Sequence, residues 1–325
     1  MMKMFRLGSL AALTALLAVA GCSGGCGNCN VPPINGATVP PSGPTPTPSP
    51  TPAPTPTPSP TPTPSPTPTP NPTPVPLACN QGVGSIPLGP ALAPFAVLAG
   101  STVTNVGNTL VTYAPGAVTG AFNDDLVGVS PGTAVTGFYP PGTVTDGVNA
   151  IYAAGYNTNA AVPLAAQNAL IAANLLVAAK PTTTTFAGGT DLATASVPGH
   201  PTGTLPPGVY SSASTLGILS GNLTLDGGGS NQSVFVFKIG SGLTTTLGGV
   251  ASGNVLLTNG ATPCNIYWQI GSSAVLGGAT FNGDVLANQS ITINATTFNG
   301  RALASVGAVS IPVAGGSRIT NPGGQ

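Results

Sequence analysis

Thr280-Phe281-Asn282-Gly283 returns seventeen residues later as Thr297-Phe298-Asn299-Gly300, and the residues after each copy match as well: DVLANQSITI from Asp284, RALASVGAVSI from Arg301. Three strands of about five residues with tight corners use about this many residues, and a repeat too short to bury a face alone must stack on its neighbours. The spacing therefore predicts one turn of a solenoid. Side chains alternate along a strand, so Ser290, Thr292 and Asn294 are expected to face solvent while Ile291 and Ile293 fill the interior.

The pattern extends in both directions. Phe237-Lys238-Ile239-Gly240-Ser241 is echoed 31 residues later by Trp268-Gln269-Ile270-Gly271-Ser272, so coil length varies, as it does where a corner carries an insertion. Val234 to Phe237 and Ile266 to Trp268 are apolar enough to be buried on both faces. Something must cover that first side, and Pro163 to Lys180 (PLAAQNALIAANLLVAAK) is the one long helical candidate: Ala-rich, with Pro in its first turn and Lys-Pro at its stop. Leu164, Ile171, Leu175 and Ala178 share one side at helical spacing, with Gln167 and Asn174 elsewhere, so the helix is expected to lie along the solenoid on that apolar stripe. Coil-like stretches also precede the helix, FAVLAGSTVTNVG from Phe95 and DLVGVSPGTAVTGF from Asp125, so the solenoid is expected to be discontinuous in sequence.

Residues 1–21 have the form of an export signal, with Lys3 and Arg6 ahead of an apolar stretch, and Val19-Ala20-Gly21-Cys22 resembles the bacterial lipobox. A lipid at Cys22 would anchor the chain at the cell surface, with the outer membrane the expected site, and without a lipobox the chain would be secreted. Residues 22–43 form a flexible segment, and residues 44–76, Pro at nearly every second position, cannot build a core. At about 3.1 Å per residue in polyproline II, this stalk reaches on the order of 100 Å. Residues 80–325 form the folded domain. Past the N-terminus no apolar run approaches the ~20 residues that span a bilayer. Cys26 and Cys29 are spaced C-x-x-C without a second pair, which is weak metal or redox evidence. Cys79 and Cys264 bracket the fold's start and middle, and an oxidising compartment makes a disulfide between them the natural reading.

Charge excludes several classes of function. Only 4% of residues are charged, Glu is absent, and beyond residue 22 four cations face six Asp, leaving no basic stripe for nucleic acid. Asp226 and Asp284 stand singly, Asp124-Asp125 sits at a strand entry, and an Arg301–Asp284 contact one coil apart reads as a surface ion pair. His200 lies between Gly199 and Pro201 in a loop. No catalytic residue, metal ligand or cofactor is expected, because polysaccharide cleavage needs paired carboxylates or calcium-binding Asp clusters. Asn-x-Ser/Thr triplets at Asn222, Asn231, Asn288 and Asn294 are expected by chance in so Asn-, Ser- and Thr-rich a chain.

On the second side, alternation gives an outward ladder of Thr102 and Thr104, Ala134 and Thr136, Thr244 and Thr246, Ser290 and Thr292, Ala308 and Ser310, with Leu219 and Leu276 interrupting two rungs. Strands about 4.8 Å apart, with outward residues about 6.6 Å apart along each, make a rigid grid of methyls and hydroxyls. Such a grid can hold an ordered water layer. Thr and Ser also simply tolerate exposed strands, being β-formers that stay soluble.

FAVLAGSTVTNVG, DLVGVSPGTAVTGFYPPGTV, LPPGVY, LTLDGGGSNQSVFVFKIGSGLTT, CNIYWQIGSSAVLGGATFNG and GRALASVGAVSI together resemble the microbial family of ice-binding proteins, across most of residues 87–320. The resemblance implies a mainly β fold, a right-handed discontinuous β-helix (a triangular β-solenoid) with one long α-helix alongside. It also implies one flat face that adsorbs ice, acting as a monomer without cofactor or nucleic acid. Some members use a T-A/G-x-T/N pattern, to which Thr133-Ala134-Val135-Thr136 is similar; around Tyr113 to Asp124 the chain is longer than the family's usual form. The ice-binding residues so implied are Thr102, Thr104, Thr133, Ala134, Thr136, Thr244, Thr246, Ser290, Thr292, Asn294, Ala308 and Ser310. The alternative is a surface adhesin or structural module contacting glycan or protein.

Overall fold

The structure, a computed structural model, describes residues 80–114 and 125–323. The signal, Cys22, Cys26, Cys29, the stalk, Cys79 and residues 115–124 lie outside the described residues.

Parallel strands stack into three faces. The first has nine, in the order Ile151–Tyr152, Leu126–Val129, Phe95–Ala99, Ala302–Ala304, Asp284–Ala287, Ile266–Ile270, Phe235–Ile239, Gly208–Ser212 and Thr184–Thr185. The second has eight: Ala134–Thr136, Thr102–Asn105, Val309–Ile311, Ile291–Ile293, Ala274–Leu276, Leu243–Thr244, Leu216–Gly217 and Thr190–Asp191. The third is divided into five strands (Thr280–Asn282, Thr297–Asn299, Arg318–Asn321, Leu110–Tyr113, Thr143–Val144) and three (Thr204–Leu205, Asn222–Asp226, Asn254–Thr258). The seventeen-residue repeat is one coil: Thr280, Phe281 and Asn282 pair in register with Thr297, Phe298 and Asn299. The 31-residue echo is another, with Phe237 beside Trp268 and Ile239 beside Ile270. The longer coil carries an antiparallel excursion, Thr246–Leu247 against Val250–Ala251, turned by Gly248 and Gly249 at φ 59° and 81°, values that suit glycine.

The coils are out of sequence order. Val97 pairs with Ala302, Val103 with Val309 and Leu110 with Arg318, so the coils ahead of the helix stack on the last coil of the chain. Inside the prism, Phe186, Tyr210, Phe237, Trp268, Phe281 and Phe298 form a continuous column with centroids 3.9–5.8 Å apart. Trp268 is fully buried and its Nε1 donates to Asn282 O at 3.0 Å, so the largest ring leaves no polar group unpaired.

The helix spans Ala161–Ala179 and covers the first face, but not with the stripe its sequence suggests. Leu164, Ile171 and Leu175 are 52%, 57% and 68% exposed; the buried positions are Pro163, Ala166, Gln167, Leu170, Ala173 and Val177. The first face explains the choice. It already projects Leu98, Leu286 and Leu303, aligned across neighbouring strands, and the helix meets this relief with a stripe in which the small Ala166 and Ala173 alternate with Leu170 and Val177. A Cβ on Gly128 would lie 2.6 Å from the Phe95 ring and 3.3 Å from Pro163 Cβ, which shows how close the approach is. Polar ties fix the helix: Gln167 Nε2 donates to Ala304 O (3.1 Å), Gln269 Nε2 to Asn174 O (2.8 Å), and Lys238 Nζ to Lys180 O (2.6 Å). At 19 residues this helix is, against the expectation from sequence, long and apolar enough to cross a bilayer by length and composition; packing on the first face uses part of that apolarity.

A second correction concerns Arg301 and Asp284. They pair at 3.0 Å, yet both side chains are fully buried. Arg301 Nε also donates to Ala93 O (2.8 Å) and its Nη2 to Gly323 O (3.4 Å), so the segment before the first strand and the chain's end roof over the pair. Burial pushes the Asp284 carboxyl up to about 6 against the pull of Arg301, leaving it ionised at neutral pH.

Candidate functional site

Of the three faces, the first is covered by the helix. The third is divided and projects Arg318, Asp226 and Leu256. The second is continuous, and its register builds a column. Thr136 lies beside Thr104, Thr104 beside Ser310, Ser310 beside Thr292 and Thr292 beside Val275. Beyond it, Val275 lies beside Thr244, Thr244 beside Gly217 and Gly217 beside Asp191. Eight strands at about 4.8 Å spacing make a face on the order of 34 Å long. Beneath it Val135, Val103, Val309, Ile291, Ala274, Leu243 and Leu216 are all buried, a floor of aliphatic side chains that holds the outward residues level.

The ten residues of the sequence-derived ladder, and Thr133 and Asn294 with them, are exposed or half-buried. Ala134 and Thr102 pair in an adjoining column, in which Ala308 and Ser290 precede the paired Val309 and Ile291. Thr133 precedes Ala134 at the face's edge, and Asn294 and Thr246 lie one outward step beyond Thr292 and Thr244.

Leu276 is corrected. It is fully buried, pairs with Ile293, and Val275 takes the outward place on its rung. The seventeen-residue period already contained this result, because Val275 stands one period before Thr292 and Leu276 one before Ile293. Leu219 is half-buried and lies over Gly217, whose added Cβ would meet Leu219 Cγ at 2.8 Å. Val275, Gly217 and Asp191 were absent from the sequence-derived ladder.

Electrostatically the column is bare: Asp191 at its far end is the one charged member. Asp191 Oδ1 accepts from Leu219 N (2.9 Å), and Oδ2 from Ser220 N (2.9 Å) and Ser220 Oγ (2.6 Å). Although partial burial raises its pKa, these bonds outweigh that and hold the carboxyl below the usual carboxylate range. It closes the terminal coil. Asp226 is likewise held low, by Gly228 N and then by Asn259 Nδ2. Among the described residues no group of three or more His, Cys, Asp or Glu could hold a metal. A groove of about 930 Å³ runs beside the helix, lined by Leu164, Ile171, Leu175, Gln269, Ile270 and Val306, and Lys238 is its only charged group. Neither groove nor face assembles an acid–base pair. What the second face offers is a level, neutral array of hydroxyls and methyls at fixed spacing, suited to an ordered, lattice-like partner.

The family model described as ice-binding-like matches residues 97–314. An ice-binding protein of Nostoc sp. (strain HG1) is 38% identical over 221 residues, covering 67% of this chain and 68% of that protein. Among solved structures, an ice binding protein from an Antarctic biological consortium is 36% identical with a TM-score of 0.56, over 73% of this chain and 90% of that one. An ice-binding protein from the Antarctic ascomycete Antarctomyces psychrotrophicus is 32% identical with a TM-score of 0.55, over 73% and 97%.

Proposed function

Because the chain belongs to the ice-binding-like family, we propose that it adsorbs to ice through its second face. The observation that carries this reading is the continuity of that face: eight in-register strands whose outward column has no charge from Thr136 to Gly217. A charge would impose its own hydration geometry; a level grid of methyls and hydroxyls holds water in an ordered layer that merges with the crystal. Adsorbed molecules pin the ice front, and growth between pinned points becomes unfavourable. The activity is not enzymatic, needs no cofactor and requires one copy of the chain.

Display at the cell surface is part of the proposal. The lipobox-like Val19-Ala20-Gly21-Cys22 supplies a lipid anchor, and the stalk of residues 44–76 holds the domain of residues 80–325 away from the membrane. Tethered molecules hold the cell at ice or shape the ice around it. A Cys79–Cys264 disulfide is supported by the burial of Cys264 and by Asn265 Nδ2, which donates to the backbone of Asn80 at 2.8 Å and so brings Cys79's neighbour to the same place.

The test is an ice-affinity and crystal-shaping assay on residues 80–325. Shaped crystals and enrichment in the ice fraction are expected; unmodified crystals at micromolar protein would sink the reading, and binding to cells or polysaccharide instead would favour a surface adhesin. Metabolic labelling with a fatty-acid analogue should mark the full chain and leave Cys22→Ser unmarked.

A further inference from the structure

We propose that ice contact is confined to four of the eight rungs, the patch Thr136, Thr104, Ser310 and Thr292 with their neighbours Ala134, Thr102 and Asn294. This rests on the reading of the second face as the ice-binding face and narrows it.

Two independent properties change at the same place along the face. The first is hydrogen bonding. The hydroxyls of Thr102, Thr104, Thr136, Thr292 and Ser310 and the amide of Asn294 have no protein partner among the described residues, so their full capacity is available to water. Beyond Thr292 the supply stops. Val275 has no hydroxyl. Thr244 and Thr246 are bonded to each other, Oγ1 to Oγ1 at 3.1 Å. Gly217 has no side chain, and Asp191 is fully engaged by Leu219 and Ser220. At the margin, Thr215 is uncommitted.

The second property is level. On the four-rung patch the strands are regular and the floor is Val103, Val135, Val309 and Ile291. On the other half Leu219 lies over Gly217, and the excursion from Thr246 to Ala251 leaves the rung with Leu247 58% exposed. A crystal plane resting on the first half does not sit flush on the second, because one projecting side chain lifts a rigid surface from its neighbours.

The patch straddles the join between the coils ahead of the helix and the last coils after it. Thr104 and Ser310 are neighbours across the pairing of Thr102–Asn105 with Val309–Ile311. Asn105 anchors one side: its Nδ2 donates to Gly107 O and to Gly137 O, both at 2.7 Å, and its Oδ1 accepts from Thr109 at 2.6 Å. The Gly137 bond fixes the strand end next to Thr136. The contact patch therefore exists only once the out-of-order coils have docked.

The experiment compares ice partitioning of the purified full chain with that of Thr104→Tyr, Ser310→Tyr, Leu219→Tyr and Leu247→Tyr, each checked for an unchanged thermal midpoint. At least a tenfold loss of ice-bound protein is expected for the first two and less than a twofold change for the last two. Ser310→Ala, which removes a hydroxyl without adding bulk, should lose two- to fivefold and serves if a Tyr variant fails to fold. Losses at Leu219 or Leu247 equal to those at Thr104 and Ser310, or binding within twofold of wild type in Thr104→Tyr, Ser310→Tyr and Ser310→Ala, would overturn the footprint. Failure of the unaltered chain to partition into ice would overturn the face itself, a distinguishable result.

Discussion

The first and second faces are built by the same coils, one strand each per turn, and meet opposite fates. On the first, the outward column runs through Leu98, Leu303, Leu286, Gln269 and Lys238, and a 19-residue helix lies across it. On the second it runs through Thr104, Ser310 and Thr292, and stays open to solvent. Backbone geometry does not separate them. The difference is whether the outward side chain leaves water favourably, as Leu does, or keeps a hydroxyl that must be satisfied, as Thr does. One lattice thus presents a recruiting surface and a hydrated one a corner apart.

The largest effect is expected where the first face's covering is polar. Arg301→Met takes away the partner that holds the fully buried Asp284 carboxyl down, so the carboxyl must take up a proton or stay buried as an unpaired charge, and the change should cost about 3–5 kcal/mol by urea unfolding. Arg301→Met with Asp284→Leu should recover much of that loss. Next, Leu303→Thr gives the first face the second face's chemistry: it removes buried methyl groups and puts an unpaired hydroxyl under the helix, at a cost of about 2–4 kcal/mol. The reciprocal change, Thr104→Lys, falls on exposed backbone and should alter stability by less than about 0.5 kcal/mol while abolishing ice enrichment. A Thr104→Lys variant that keeps its ice affinity would contradict the role assigned to the open face.

A pH experiment separates the buried carboxylates from both surfaces. Burial pushes Asp125 up to about 7, with Asp146 N holding it down and the Asp146 charge adding to the rise. The unfolded chain gives up this proton near 3.8 and the folded one near 7, so between these values the folded state binds more protons and stability falls as pH rises. Asp284, raised to about 6, acts in the same direction. Asp191 and Asp226, held low, are ionised across that window and do not contribute. The thermal midpoint should drop between pH 4 and pH 7, and Asp125→Asn should reduce the slope; an unchanged slope in that variant would place the titrating group elsewhere.

Much of this architecture was legible in the sequence because period two and period seventeen are local signals. Ile291 and Ile293 inside with Ser290, Thr292 and Asn294 outside came from alternation, and the discontinuity came from coil-like sequence on both sides of a helix. Elsewhere a tertiary preference decided. The outward ladder takes Leu276 as interrupting its rung, whereas the period carried forward to Ile293 puts it inside. The burial of Arg301 could not be read from a spacing of seventeen, because its roof comes from Ala93 and Gly323, remote in sequence.

The helix is the sharpest case and gives the smallest expected effect. Amphipathic reasoning assigns Leu164, Ile171 and Leu175 to the buried side because the largest apolar residues normally repay burial most. Here the partner surface is already crowded with Leu side chains, and the helix meets it with Ala166 and Ala173 interleaved with Leu170 and Val177, so the stripe of Leu164, Ile171 and Leu175 is left outside. Leu175→Gln should therefore shift the unfolding midpoint by less than about 0.5 kcal/mol equivalent and leave ice binding unchanged. Ala173→Gln adds volume and a polar end in the close contact, and should cost about 1–3 kcal/mol. If Leu175→Gln proved the more damaging of the two, the helix would pack by the face its sequence suggests, and the first face would have to be recruiting bulk, not nearness.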